Sequence, residues 1–289
     1  MKKIAIATDS NSGITQAEAK EKGVFVLPMP FTIGDDEYFE DINLSQDEFY
    51  EKLKNNEDVK TSQPALGALE DFWDNILKDY DEIVYIPMSS GLSKSCESAM
   101  NFAEEEKFAG KVFVVDNQRI SVTLKGTVFQ AKRMAESGKS GAEIKQILTD
   151  TKFDSSIYIM VDTLKYLKKG GRVTPAGAAL GTLLHIKPVL QIQGGKLDAY
   201  KKVMGSKMAC QAMIEAIKAD LSARFKDVRQ DMKLCFAHTH NEENARKFVE
   251  EVKKAIPDVE LTYCDPLSLS VSCHIGPGAL AAALYREIL

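Results

Sequence analysis

Lys3-Ile4-Ala5-Ile6-Ala7-Thr8-Asp9-Ser10-Asn11-Ser12-Gly13-Ile14-Thr15-Gln16-Ala17-Glu18 opens the chain and sets its architecture. An apolar run of strand length at 4–7 gives way to a turn rich in hydroxyls. Thr15 and Glu18 then stand at the spacing of a capping box, in which side chains satisfy the first free amides of a helix. The order strand, loop, helix recurs along the chain. Apolar runs at 24–27, 83–87, 112–115, 157–161, 189–192, 233–237 and 260–263 read as strands between amphipathic stretches. Ser45 with Glu48, and Ser140 with Glu143, repeat the capping-box signal. This alternation predicts α/β layers with a largely parallel sheet. Gly194-Gly195 ahead of 197–203 is a hairpin signal, so the second half is expected to carry a mixed sheet. A boundary is predicted where the helix at 142–151 runs out into Phe153-Asp154-Ser155-Ser156. The expectation is two α/β domains: an N-terminal one over 1–155 with a largely parallel sheet, and a C-terminal one over 156–289 with a mixed sheet.

Composition narrows the function. The 289 residues, 44% hydrophobic and 27% charged, are those of an ordinary globular protein large enough for roughly two domains. A formal charge of -5 gives no broad attraction to nucleic acid or anionic lipid, so no nucleic-acid partner is expected. Cys96, Cys210, Cys235, Cys264 and Cys273 are odd in number and form no CxxC pair, which fits free thiols in a reducing cytoplasm. The N-terminal apolar run is too short for a signal-peptide core, and no run approaches the roughly 18 residues of a membrane span. A cytoplasmic protein with no integral membrane segment is expected.

Three segments of the first half concentrate hydroxyls after predicted strands: Thr8-Asp9-Ser10-Asn11-Ser12, Thr61-Ser62-Gln63-Pro64 and Ser89-Ser90-Gly91-Leu92-Ser93. In open α/β sheets ligands sit beyond the carboxyl ends of strands, so these segments can converge on one uncharged donor pocket or simply cap the helices that follow. His274-Ile275-Gly276-Pro277-Gly278 reads as the start of a helix, with His274 placed to donate to an anion. Gly276-x-Gly278-x-x-Ala281 is no dinucleotide fingerprint, because only eight residues follow it. Gly138-Lys139-Ser140 is a helix-to-helix turn rather than a phosphate loop, since Arg133 stands where the first glycine belongs. His238-x-His240 lacks ligands at metal spacing, and no metal is expected. Lys165, Lys168, Lys169 and Arg172 form a basic group ahead of an apolar helix predicted over 176–184. Arg172 follows two glycines, so its fork can reach a carboxylate or phosphate on a ligand or a partner.

Six segments in order resemble the DegV family of bacterial fatty-acid-binding proteins, which includes the binding subunits of the fatty acid kinase system. They are Thr8-Asp9-Ser10, Thr61-Ser62-Gln63-Pro64, Ser89-Ser90-Gly91-Leu92-Ser93, Leu167-Lys168-Lys169-Gly170-Gly171-Arg172-Val173, Leu183-Leu184-His185-Ile186-Lys187-Pro188-Val189-Leu190 and His274-Ile275-Gly276-Pro277-Gly278. The resemblance implies a lipid pocket at or near the domain interface. It places the carboxylate-binding residues on Thr61, Ser93 and His274, and Arg172 on the face that docks the kinase subunit. Ser62, Ser90 and Gly276 are possible additional head-group contacts. Lys94-Ser95-Cys96 departs from the family's usual Gly-Thr-Tyr, and Ala65 from a common serine.

These residue types suit a carboxylate held by hydroxyls and a histidine. At about 0.8 kcal/mol per buried methylene, a sixteen-carbon tail in a dry tunnel gains on the order of 10 kcal/mol before association costs. Ala176, Ala179, Leu180, Leu183, Ile186 and Leu190 are the candidate lining. No phosphate loop or kinase signature is legible, so any phosphoryl transfer must come from elsewhere; the resemblance implies a separate fatty acid kinase subunit as the partner and a bound long-chain fatty acid as the ligand, without cofactor or catalytic residues. Two rivals stand beside this reading. One is a serine hydrolase using Ser90 or Ser93 with His274 and Asp9 or Asp116, although the G-x-S-x-G elbow is missing. The other is a regulatory module binding an acidic metabolite or partner.

Overall fold

The computed structural model describes residues 2–55, 58–180 and 186–288. In chain order the elements are β1 (Ile4–Asp9), α1 (Gln16–Lys22), β2 (Phe25–Leu27), β3 (Pro30–Ile33), β4 (Asp36–Phe39), α2 (Gln46–Lys54), β5 (Val59–Thr61), α3 (Leu66–Leu77), β6 (Glu82–Ile86), α4 (Ser95–Phe102), β7 (Val112–Val114), α5 (Ser121–Glu136) and α6 (Gly141–Asp150). They continue with β8 (Ser155–Met160), α7 (Lys165–Gly170), α8 (Pro175–Ala179), β9 (Ile186–Ile192), β10 (Asp198–Met204), α9 (Gly205–Ser222), β11 (Met232–His238), α10 (Glu242–Ala255), β12 (Glu260–Pro266), α11 (Leu269–Ile275) and β13 (Leu280–Arg286).

The first sheet has order β2-β1-β6-β7 and is parallel throughout. Its crossovers leave β1 and β6 in opposite directions, so the carboxyl ends of these two neighbours form a topological switch point, the place where open α/β sheets bind ligands. The second sheet, β10-β9-β8-β13-β11-β12, is mixed: β11 and β12 run parallel and every other pair is antiparallel. The glycine hairpin signal at Gly194-Gly195 joins β9 to β10 as expected. Ser45 and Ser140 make complete capping boxes, and Thr15 accepts from the Glu18 amide.

Two features depart from the sequence expectation. A small antiparallel sheet, β4-β3-β5, stands on residues 30–61, where neither apolar alternation nor turn chemistry had marked it. Phe31, Phe49, Tyr50 and Leu53 of this lobe pack against Leu269 and Cys273 of α11, so long-range burial rather than local pattern stabilises it. The second departure is at the C-terminus. Leu280–Arg286 is a strand in the middle of the second sheet, not the helix read from Pro277. Its Leu280, Ala282 and Leu284 enter one core cluster, and Ala281, Ala283 and Tyr285 enter another. Both faces are buried, so the run is apolar throughout and its period of two is hidden. His274 accordingly lies in the last turn of α11, with Gly276 (φ 77) and Gly278 (φ 87) turning the chain into β13.

The two large sheets meet closely. Gly126 of α5 faces the Tyr285 ring, and Lys125, 6% exposed, pairs with Glu18 at 2.9 Å and with Asp265 at 2.8 Å. The loop after β6 touches the β9–β10 turn at Gly91 and Gly195, where a Cβ on Gly91 would stand 2.1 Å from the Gly195 carbonyl oxygen. Only glycine permits so close a backbone approach.

Candidate functional site

A cavity of about 170 Å³ opens at the switch point, between the carboxyl ends of β1 and β6 and helix α11. Asn11 follows β1, Met88, Leu92 and Ser93 follow β6, Thr61 and Ser62 close β5, and Ser270, Val271, His274 and Ile275 come from one face of α11. Arg172, from the turn after α7, completes the polar end. Thr61, Ser62, Ser93, His274 and Arg172, all singled out from the sequence, therefore line one cavity.

Two of them touch. Thr61 Oγ1 and His274 Nε2 are 2.7 Å apart, joining the small lobe to α11 across 213 residues of chain. Burial, and then the charge of Arg172, push the His274 imidazole down to about 4, so it is neutral near pH 7. With the ring proton on Nε2, the histidine donates to Thr61 and frees the threonine O–H to donate into the cavity. Ser93 Oγ accepts from the Ser95 amide at 3.2 Å and lies 2.9 Å from Ser95 Oγ. The hydroxyl thus satisfies the first amide of α4 while lining the cavity. Arg172 donates from Nη1 to the Gly170 carbonyl at 2.5 Å, a bond that folds its fork back over α7. This arrangement offers neutral donors backed by two cations in the cavity lining, Arg172 and Lys94, a set matched to a carboxylate.

Other expected contacts fall elsewhere. Ser90 does not line the cavity: its Oγ donates to Asp116 Oδ2 at 2.6 Å and its amide to Oδ1 at 3.2 Å. Gly276 does not line it either, because the chain turns there and a Cβ would strike the Tyr166 ring at 2.4 Å. Ser90, Ser93 and His274 make no triad: His274 bonds Thr61, and neither serine is hydrogen-bonded to it. The predicted tail lining also misses. Ala176, Ala179, Leu180, Ile186 and Leu190 are absent from the cavity wall, Leu190 being spent in the core, and Leu183 lies outside the described residues. The helix expected over 176–184 is described only as Pro175–Ala179.

The apolar wall comes instead from Met29, Met88, Leu92, Ile120, Leu197, Val271 and Ile275. Ile120, Leu197, Val271 and Ile275 also border a second, smaller void of about 40 Å³ that runs on between Ile157, Ile159, Ile192, Ala237, Ala281 and Ala283. Val271 and Ile275 share the face of α11 that carries His274, a spacing visible only once 269–275 is read as a helix. On the outer side of the Thr61–His274 pair lies a wider cleft of about 420 Å³, bordered by Lys60, Lys165, Lys169 and Arg172 with Asp58.

Asp9 holds the loops in place. It is fully buried, accepting from the Met88 amide at 3.0 Å and from the Asn11 amide at 3.0 Å, and burial pushes its carboxyl up to about 6. A carboxyl raised in the folded state adds stability below its unfolded value near 4 and loses it as pH rises through 6. Asp9 therefore makes the fold about 1.4 kcal/mol more stable at pH 5 than at pH 8. The lowered imidazole of His274 acts in the opposite sense, its contribution falling as pH drops from about 6.5 through 4. Urea unfolding of Asp9→Asn should change the stability difference between pH 5 and pH 8 by that amount, in favour of pH 8. An unchanged difference would show that Asp9 does not titrate in this range.

Among the described residues no group of three or more His, Cys, Asp or Glu is placed to hold a metal ion, and no helix is long and apolar enough to cross a membrane. His240, with φ of 46°, stacks on Tyr50 at 4.7 Å, away from the cavity.

Comparison with known proteins gives a consistent family and fold. The DegV family model, described as an uncharacterised protein of the DegV family, matches residues 3–287. The chain is 31% identical over 283 residues to protein DegV of Bacillus subtilis, covering 96% of this chain and 97% of that one. Among solved structures it is similar to a DegV family protein from Thermus thermophilus described by its fatty acid binding, with TM-score 0.89, 28% identity and coverage of 98% and 99%. It is also similar to DegV from Bacillus subtilis, a fatty acid binding protein, with TM-score 0.85, 28% identity and coverage of 99% and 100%.

Proposed function

Because the chain belongs to the DegV family, we propose that it is a carrier that binds one long-chain fatty acid and presents its carboxylate to a separate kinase subunit for conversion to an acyl phosphate. Thr61 and Ser93 donate to the carboxylate, His274 acts through Thr61 by holding its hydroxyl oriented into the cavity, and Ser62 stands at the same end. The tail runs along the apolar wall past Val271 and Ile275 toward the smaller void. The observation that carries the reading is the Thr61–His274 pair at 2.7 Å, placed at the polar end of a cavity whose remaining wall is mostly apolar. Structural relatives from Thermus thermophilus and Bacillus subtilis that bind fatty acids support it.

The two halves divide near residue 155 and act as two units closed on the ligand, since the first supplies Thr61 and Ser93 and the second supplies His274. The basic cleft on the outer side of the pair is the docking face for the kinase subunit. Arg172 borders both cavities, so it feels the bound head group from one side and the partner from the other. A serine hydrolase is the weaker reading, because the bonds of Ser90 and Ser93 lead to Asp116 and Ser95 rather than to His274.

Denaturing the purified protein and extracting it with organic solvent should release long-chain acids at near one per chain by mass spectrometry. A protein that comes out empty and takes up no added fatty acid would overturn the carrier reading. Thr61→Ala and His274→Ala should each weaken fatty acid binding by about tenfold, the worth of one charge-assisted hydrogen bond. Arg172→Ala should slow kinase-dependent phosphorylation more than it weakens binding, and equal losses in both would contradict the docking role.

A further inference from the structure

The smaller void of about 40 Å³ is walled almost entirely by buried apolar side chains. Its floor is one face of the second sheet. There Ala281 and Ala283 of β13 lie in register between Ile159 and Ile157 of β8 on one side and Ala237 and Cys235 of β11 on the other. Its roof is Val122 of α5 with Val271 and Ile275 of α11. Among the described residues Ser121 is the only polar one on the border. Such a space stays dry, and its walls lack contacts that an apolar occupant restores.

The two ends of the void differ. Toward the head group it shares Ile120, Leu197, Val271 and Ile275 with the cavity bordered by Thr61 and His274. Beyond Ala283 the next side chain on the same face of β13 is Tyr285, because side chains alternate along a strand. The Tyr285 ring is buried, held against Gly126 of α5 where a Cβ would stand 2.5 Å from its Cζ, and stacked on Tyr263 with centroids 6.5 Å apart. We infer that the void receives the methyl end of the acyl chain and that Ala283 sets the longest chain the pocket accepts, with Tyr285 as the stop. Alanine at 283 leaves the trough beside Ile157 open. Any larger side chain there occupies space that the tail would fill, in a core packed too densely to yield it elsewhere.

The inference rests on the carrier reading, and one binding series separates the two. Displacement of a fluorescent fatty acid from the full chain is measured with dodecanoic, tetradecanoic, hexadecanoic, octadecanoic and icosanoic acids, in the wild type, Ala283→Leu and Ile157→Val. Each methylene that fits should tighten binding by about fourfold, until the chain outgrows the void and the gain stops. In Ala283→Leu the gain should stop about two carbons earlier, so the last two-carbon gain of the wild type, roughly tenfold or more, is lost. In Ile157→Val, which gives up a methyl group across the strand pair from Ala283, the first acid beyond the wild-type limit should gain about fourfold. The stopping point is read within each protein, so a general loss of stability or of head-group binding leaves it in place. One stopping point shared by all three proteins overturns the inference and leaves the carrier reading standing, as does a gain that continues to icosanoic acid in the wild type. Failure of the wild type to bind any of the acids overturns the carrier reading itself. Should Ala283→Leu not fold, the direction of the shift in Ile157→Val decides.

Discussion

Gly170→Ala is expected to abolish most head-group binding while leaving the fold almost as stable as before. A Cβ at this position would stand 2.1 Å from His274 Nδ1 and 2.8 Å from its Cε1. The obstacle is a side-chain ring rather than backbone, so the clash is relieved by swinging the imidazole away, at the loss of its bond to Thr61, about 1 kcal/mol. Alanine also suits the end of α7 slightly better than glycine, by roughly 0.5–1 kcal/mol. The displaced ring can no longer keep its 2.7 Å contact with Thr61. Binding should therefore fall by about tenfold or more, with the melting temperature shifted by no more than about 2 °C. Because both changes act through the same ring, Gly170→Ala added to His274→Ala should weaken binding no further than His274→Ala alone. Additive losses in that cycle would mean that Gly170 acts on the site by another route.

Gly91→Ala should do the reverse and damage stability and binding together. The added carbon meets the Gly195 backbone, with oxygen at 2.1 Å, carbonyl carbon at 2.3 Å and Cα at 2.5 Å. No flexible group is present to yield, so the loop after β6 and the turn between β9 and β10 must separate. Overpacking of this kind costs about 1–3 kcal/mol or more, which lowers the melting temperature by roughly 2–10 °C for a chain of this size. The same movement carries away Ser93 and the Ser89 hydroxyl that donates to the Gly195 carbonyl at 3.1 Å. Fatty acid binding should drop with the melting temperature. Gly195→Ala, whose Cβ would lie 3.1 Å from Gly91 Cα, is the milder counterpart. A Gly91→Ala protein with wild-type melting temperature would show that this backbone contact does not hold the cavity wall.

The two glycines mark how differently fold and site were written. Strands β1, β6, β8 and β11 were legible because apolar runs of strand length alternate with capped helices, a pattern governed by neighbours in sequence. Residues 30–61 gave no such signal, because β3 to β5 depend on contacts of Phe31 and Phe49 with α11 more than 200 residues away. The strand Leu280–Arg286 was misread because burial on both faces removes the alternation that distinguishes strand from helix. His274 was found, but its setting was inverted. Expected ahead of a helix, it closes one, and its neighbours Ser270, Val271 and Ile275 were missed with it.

By itself the sequence determined the α/β class and the mixed character of the second sheet, since each follows from local periodicity or turn chemistry, and its hydroxyl-rich segments and His274 marked candidate donors by residue type, among which the family resemblance picked out Thr61, Ser93 and His274. Only the tertiary structure decided which of those donors meet, that Ser90 is bound to Asp116, and that the apolar cavity wall comes from α11 and the loops rather than from residues 176–190. The reason is that a cavity is a property of surfaces brought together across hundreds of residues, and packing at that range leaves no periodic trace in the chain.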